Sequence, residues 1–175
     1  GGEVTIKNVI PEHIEAVMVK LTEAGHKIEA KDKQVKIKAA SCSQNINVKT
    51  LPYPGFPTDM QPQFMSLLSI AEGESIITET IFENRLNHAS QLQKMGAEIE
   101  VNNNQGLVKG VENSSGAVVK ASNLRAGAAL LLAGLATEEK TIVENIYHIE
   151  RGYECLEKKL TDLGANLHKE KAEGA

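Results

Sequence analysis

Only three of the 19 basic residues are arginine, Arg85, Arg125 and Arg151; lysine supplies the rest. A guanidinium is a planar fork that grips a carboxylate or phosphate through two parallel hydrogen bonds, whereas an ammonium is a point charge. A chain that uses lysine for surface charge keeps arginine for positions that need the fork. Arg85 and Arg151 each follow a predicted strand, in Phe82-Glu-Asn-Arg85 and His148-Ile-Glu-Arg151, and Arg125 falls in the first turn of an apolar predicted helix. One reading makes them three structural ion pairs. Their shared place at element junctions favours the other reading, an anionic ligand.

Two short polar side chains accompany them. The proline-rich segment Leu51-Pro-Tyr-Pro-Gly-Phe-Pro-Thr-Asp-Met-Gln61 must be a rigid, non-helical approach to a helix. Thr58 and Gln61 have capping-box spacing, which predicts Thr58 as N-cap and Asp59 as the first helical residue, free of capping duty. Further along, Ser122 is the predicted cap and Asn123 takes the matching place. Helix N-termini attract anions, although an acid there also stabilises the helix dipole, by about 0.3–1 kcal/mol. The dipole depresses a carboxyl pKa, so a base role for Asp59 requires burial or a negative ligand to raise it again. His13, His26, His88, His148 and His168 lack metal-ligand spacing, and neither a phosphate-cradling glycine loop nor a catalytic serine motif is present. No metal or cofactor is expected. His88, close to Arg85, reads either as its partner or as a surface or helix-packing histidine.

These side chains must be held by repeated elements. Three segments share a strand, an amphipathic helix, a glycine stop and a further strand. The first runs from Val4 through a helix ending Leu21-Thr-Glu-Ala-Gly25 to His26-Lys-Ile28. The second runs from the strand Ile76–Phe82 through Leu92-Gln-Lys-Met-Gly96 to Ala97-Glu-Ile99. The third runs from the strand Thr141–Tyr147 through Leu160-Thr-Asp-Leu-Gly164 to Ala165-Asn-Leu167. Ile14, Val17, Leu21 and Ala24 fall on one helical face, as do Tyr153, Leu156, Leu160 and Leu163. Copies two and three are preceded by a second helix, predicted over Asp59–Ala71 and Asn123–Ala136, apolar nearly all round and so expected innermost. The first copy lacks that central helix. The resulting expectation is one layered α/β domain, with units at about 1–50, 51–121 and 122–175 and the first truncated.

Composition narrows the classes. A formal net charge of −4 and 3% aromatic residues argue against nucleic-acid binding. The most apolar run, Ala126–Ala136, is too short for a membrane span of about 20 residues. Gly1-Gly2-Glu3 does not begin a signal peptide, and Cys42 and Cys155 are isolated, so a reducing cytoplasm is the expected compartment.

Four motifs then converge. Phe56-Pro-Thr-Asp-Met-Gln61, Ile77-Thr-Glu-Thr-Ile-Phe-Glu-Asn-Arg85, Leu124-Arg-Ala-Gly-Ala-Ala129 and Tyr147-His-Ile-Glu-Arg-Gly-Tyr-Glu154 closely resemble the UDP-N-acetylglucosamine 1-carboxyvinyltransferase family of enolpyruvyl transferases. The resemblance covers essentially the whole chain, in the right order. It implies an inside-out α/β barrel domain of three units, forming most of the family's C-terminal portion. The family's N-terminal segment, second domain and catalytic cysteine loop have no counterpart here, and neither Cys42 nor Cys155 takes the cysteine's role. The implied reaction moves the enolpyruvyl group of phosphoenolpyruvate to the 3′-hydroxyl of UDP-N-acetylglucosamine and releases phosphate, opening bacterial peptidoglycan synthesis. By motif match Asp59 binds the sugar and takes its hydroxyl proton, the backbone of Ile81 contacts the sugar nucleotide, and Arg85 and Arg151 line the cleft, Arg151 nearest phosphoenolpyruvate. Asn123 and Arg125 complete the substrate-binding set, but the family usually has an aspartate where this chain has Asn123. Two rivals stand beside this reading. One is the related shikimate-phosphate enolpyruvyl transferase, whose Trp-Arg-Val-Lys-Glu-type stretch is replaced here by Phe82-Glu-Asn-Arg-Leu-Asn-His88. The other is a non-catalytic descendant that binds a sugar nucleotide or a protein partner.

Overall fold

A computed structural model describes residues 2–170. Alternating side chains build its sheets: in β5 (Glu74–Thr78) Ser75 and Ile77 are buried while Glu74 and Ile76 face out. The same alternation buries Gly106 and Val108 of β7 (Gln105–Lys109). β5 lies between β7 and the short parallel strand β4 (Val48–Lys49), and β6 (Glu98–Asn102) closes the sheet on the other side of β7, giving the order β4-β5-β7-β6. A three-stranded antiparallel sheet precedes it, order β1-β3-β2, from β1 (Glu3–Lys7), β2 (Lys27–Lys31) and β3 (Gln34–Lys38). The third sheet is the parallel pair β8 (Val118–Lys120) and β9 (Ile142–Glu144). The hairpins β2–β3 and β6–β7 turn on Asp32 and Asn103, both left-handed (φ 51° and 53°), a conformation short polar side chains tolerate.

Connections follow one plan. β1 leads through α1 (Glu15–Glu23) into the β2–β3 hairpin, and β5 leads through α3 (Ala89–Lys94) into the β6–β7 hairpin. In both, the second hairpin strand returns beside the first strand. Helices α2 (Gln61–Leu68) and α4 (Leu124–Leu135) cross between parallel strands, β4 to β5 and β8 to β9. The helix stops fall at Gly25, Gly96 and Gly164, all at positive φ, where glycine alone costs nothing.

The core forms where α2 meets the middle sheet and α4. Phe64, Met65 and Leu68 of α2 pack with Val48, Ile77, Leu92, Met95, Val108 and Leu130, and Phe56 meets Phe64 edge-on at 4.8 Å. Ser66 Oγ donates to the Ala129 carbonyl at 2.8 Å, tying α2 to α4. No helix among the described residues is long and apolar enough to cross a membrane.

Several sequence expectations need correction. The helix predicted over Asp59–Ala71 is a 3-10 turn, Thr58–Met60, followed by the shorter α2, with Pro62 in its first turn. α4 is buried only in its first half; Leu132 and Leu135 are 43% and 39% exposed, so that helix is not wholly internal. The strand predicted to Phe82 stops at Thr78, because the chain then wraps round the Glu79 carboxylate. The strand predicted to Tyr147 ends at Glu144, before left-handed Asn145, and Tyr147 opens α5 (Tyr147–Glu150). Ala165–Leu167 forms no strand, since no second hairpin strand pairs with it among the described residues. The last helix, α6 (Leu156–Asp162), buries no residue, and Leu163 beyond it is 64% exposed.

Candidate active site

The site is assembled around Asp59. Pro57 holds an extended backbone at the entry to the Thr58–Met60 turn, and the turn presents the Asp59 carboxylate at the surface. Thr58 does not cap the helix; its hydroxyl donates to Glu79 Oε2 at 2.8 Å. Glu79, 1% exposed, also accepts from Thr50 Oγ1 (2.9 Å) and from the amides of Ile81 (2.8 Å) and Phe82 (3.2 Å). One buried carboxylate therefore fixes both the turn that carries Asp59 and the loop that leads to Arg85. Sequence reasoning missed it, although a signal existed: continuing the inward alternation Ser75, Ile77 places Glu79 on the buried face.

On the opposite wall Asn123, not Ser122, is the N-cap of α4. Its Oδ1 accepts from the amides of Arg125 (3.0 Å) and Ala126 (2.9 Å). Asn123 and Asp59 thus do not hold matching places: one caps a helix, and the other is free to bind. The cap fixes the first turn of α4, from which Arg125 reaches across.

Arg125 embraces Asp59 with both faces of its fork, Nη2 to Oδ2 at 2.9 Å and Nε to Oδ1. Arg85 Nη2 donates to the same Oδ1 at 3.0 Å, while its guanidinium lies 4.4 Å from the centre of the Phe82 ring. The hydrogen bond from Arg125, with the positive charges of both arginines, holds the Asp59 carboxyl below the usual range, and partial burial opposes this only in part. The arginine is stabilised in return as a cation. Beside this triad lies a cleft of about 230 Å³ lined by Pro62, Arg85, His88, Asn123 and Arg125. Two guanidiniums sharing one exposed carboxylate have the chemistry to exchange it for another anion, and displacing that carboxylate would free a base beside the newcomer.

The family model described as EPSP synthase (3-phosphoshikimate 1-carboxyvinyltransferase) matches residues 1–160. The chain belongs to this enolpyruvyl transferase family. Within it, the protein of Geotalea daltonii named UDP-N-acetylglucosamine 1-carboxyvinyltransferase is 50% identical over 169 residues, 97% of this chain and 40% of that protein. UDP-N-acetylglucosamine 1-carboxyvinyltransferase 1 of Symbiobacterium thermophilum is 53% identical over 167 residues, 95% of this chain and 38% of its own length. The chain thus spans about two-fifths of these relatives. Among solved structures, the enolpyruvyl transferase NikO from Streptomyces tendae matches with a TM-score of 0.83 at 26% identity, covering 94% of this chain and 39% of that one. EPSP synthase from Acinetobacter baumannii shares the fold, with a TM-score of 0.70 at 18% identity, covering 97% and 40% of the two chains.

Of the residues the family resemblance points to, the structure joins Asp59, Arg85 and Arg125 in one ion-pair cluster, and Arg85, Arg125 and Asn123 line the cleft beside it. Arg151 is not among them: it follows α5, is exposed, and does not line the cleft. The amide of Ile81 already donates to Glu79, which leaves its carbonyl as the backbone group able to meet a ligand. His88 is no surface residue; it is 3% exposed and lines the cleft.

Proposed function

We propose that this chain is part of an enzyme that transfers the enolpyruvyl group of phosphoenolpyruvate to the 3′-hydroxyl of UDP-N-acetylglucosamine, releasing phosphate, as the first committed step of bacterial peptidoglycan synthesis in the cytoplasm. The observation that carries this reading is Asp59 held between Arg85 and Arg125 beside a cleft that both arginines line, in a chain about half identical to proteins named for that reaction. In the transfer the sugar hydroxyl loses its proton, its oxygen bonds to the central carbon of the enolpyruvyl group, and the bond from that carbon to the phosphate oxygen breaks. Asp59 is the proposed proton acceptor. Arg85 and Arg125 give up their grip on it to hold substrate anions, which removes the charges that depress its basicity. Arg151 and the Ile81 carbonyl are proposed substrate contacts, Arg151 toward phosphoenolpyruvate. The domain reading is an inside-out α/β barrel of three units at about 1–50, 51–121 and 122–175, supported by the shared plan of β1–α1–β2–β3 and β5–α3–β6–β7. A preceding segment and a second domain are the proposed covalent partners that close the cleft.

A phosphate-release assay tests the proposal. The full-length protein should release phosphate from phosphoenolpyruvate with UDP-N-acetylglucosamine and not with shikimate 3-phosphate. The 175-residue chain alone, without the proposed second domain to enclose the reactants, should show none. Turnover with shikimate 3-phosphate would move the protein to its sister activity, and sugar-nucleotide binding without turnover would make it a binding descendant. Asn123, an amide that cannot hold the charge of the aspartate expected from the family resemblance, is the observation on the side of the binding descendant.

A further inference from the structure

Arg85 and Arg125 meet at Asp59 from unlike supports. Arg125 stands in the first turn of α4, a helix capped by Asn123 and tied to α2. Arg85 stands in the loop between β5 and α3, directly after left-handed Asn84 (φ 54°), with neither strand nor helix to hold it. Among the described residues its side chain has one hydrogen-bond partner, Asp59, through Nη2 at 3.0 Å. The guanidinium carbon also lies over the Phe82 ring, 4.4 Å from its centre.

Packing does not account for that ring. Phe82 is 52% exposed, so it adds little to the core, and its amide donates to Glu79 Oε1 at 3.2 Å, which stands it on the same brace as the turn carrying Asp59. The face of a phenyl ring is the negative end of its quadrupole and attracts a cation, more strongly as the cation loses water. The Arg85 side chain is 17% exposed, so the attraction acts on a guanidinium already largely stripped of solvent. A ring attracts the cation without neutralising it, which leaves the full charge to meet an anion.

We propose that Phe82 is a positioning residue for Arg85, its ring holding the guanidinium at the cleft when an anion takes Arg85 from Asp59. This rests on the transfer reading above, in which Arg85 leaves Asp59 for a substrate anion, and it adds the contact that stays when the hydrogen bond goes. Without the ring, a loop arginine released from its carboxylate would swing into solvent, and each binding event would have to order a long, flexible side chain again.

Two measurements on the full-length protein test it. Proton–nitrogen spectra of arginine-labelled protein follow the Arg85 Nε–H signal, assigned by its loss in Arg85→Lys. Ring current should move that signal upfield, and Asp59→Asn, which removes the carboxylate, should leave it there because the ring alone still holds the side chain. Its return to the position of a solvated arginine in Asp59→Asn would overturn the proposal. The second measurement is phosphate release with Phe82 replaced by phenylalanines of increasing ring fluorination, which weaken the quadrupole and nearly keep the shape. Their kcat/KM should fall step by step, and Phe82→Leu should lose roughly fivefold to thirtyfold, the worth of a partly desolvated cation–π contact. Phe82→Tyr, which keeps a π face, should recover most of the loss, with Tm little changed throughout. A flat fluorination series, or wild-type kcat/KM in Phe82→Leu, would make Phe82 a surface residue and overturn the proposal. Should the wild type release no phosphate from the two substrates, the transfer reading fails, and the Asp59→Asn spectra still decide whether the ring holds Arg85.

Discussion

Asp59 is a base candidate whose surroundings oppose basicity. Arg125 and Arg85 hold its carboxyl low, so in the free protein it is a structural anion first. If it takes the hydroxyl proton during turnover, Asp59→Asn lowers kcat of the full-length enzyme roughly 10²–10⁴-fold. A near-normal kcat would leave only the ion-pair role. That role has its own pH signature. A carboxyl lowered in the folded state contributes stability that is present above its unfolded pKa of 3.8 and lost as pH falls through the lower folded value. Melting curves should therefore separate wild type from Asp59→Asn at neutral pH and converge in acid, by a small margin because the side chain is 58% exposed. Asn123 is the second residue to change. An aspartate caps a helix as well as asparagine does and adds charge that the helix N-terminus favours, so Asn123→Asp keeps α4 in place. It also returns to the cleft the carboxylate its relatives are expected to carry. We expect kcat/KM of the full-length protein to rise about tenfold, roughly 1.4 kcal/mol of transition-state stabilisation, with Tm unchanged. A fall in activity or in Tm would mean that the neighbours have adapted to the neutral amide.

The elements hold these side chains through Glu79 more than through any cap. Its carboxylate joins β4's exit at Thr50, the turn at Thr58 and the amides of Ile81 and Phe82, and its backbone is bonded in turn to the β6–β7 turn at Asn104. Glu79→Ala would leave those buried donors without an acceptor and cost roughly 2–4 kcal/mol in denaturant titration. It should also raise KM, since Asp59 and Arg85 lose their common brace; unchanged KM at reduced stability would make Glu79 a fold residue only. This brace also marks where legibility stopped. Glycine stops and strand alternation were readable because each rests on a local rule of φ or periodicity. Thr58 was read as a cap for the same reason, since its spacing to Gln61 is local, but an acceptor 21 residues away took its hydroxyl. The strand ends failed similarly, where Glu79 and left-handed Asn145 turn the chain early.

At the scale of the whole molecule, the site was legible by residue type and not by pairing. Arginine scarcity pointed to Arg85 and Arg125, yet nothing local joins Asp59 to a partner 66 positions away; that needed α2 and α4 to pack first. Arg151 carried the same compositional signal and lies apart from the cluster, so composition ranked candidates without grouping them. The layers are uneven, too. β5 buries Ser75 and Ile77, whereas all five residues of β1 are exposed, Val4 at 38% and Ile6 at 40%. β1 pairs only with β3 among the described residues, so its other edge presents free amides and carbonyls beside apolar side chains. In a concentrated sample of these 175 residues, that edge is a template on which a second chain can add a strand. Glu3 and Lys7 at its ends place charges against such pairing, the role of gatekeeper residues on an exposed edge.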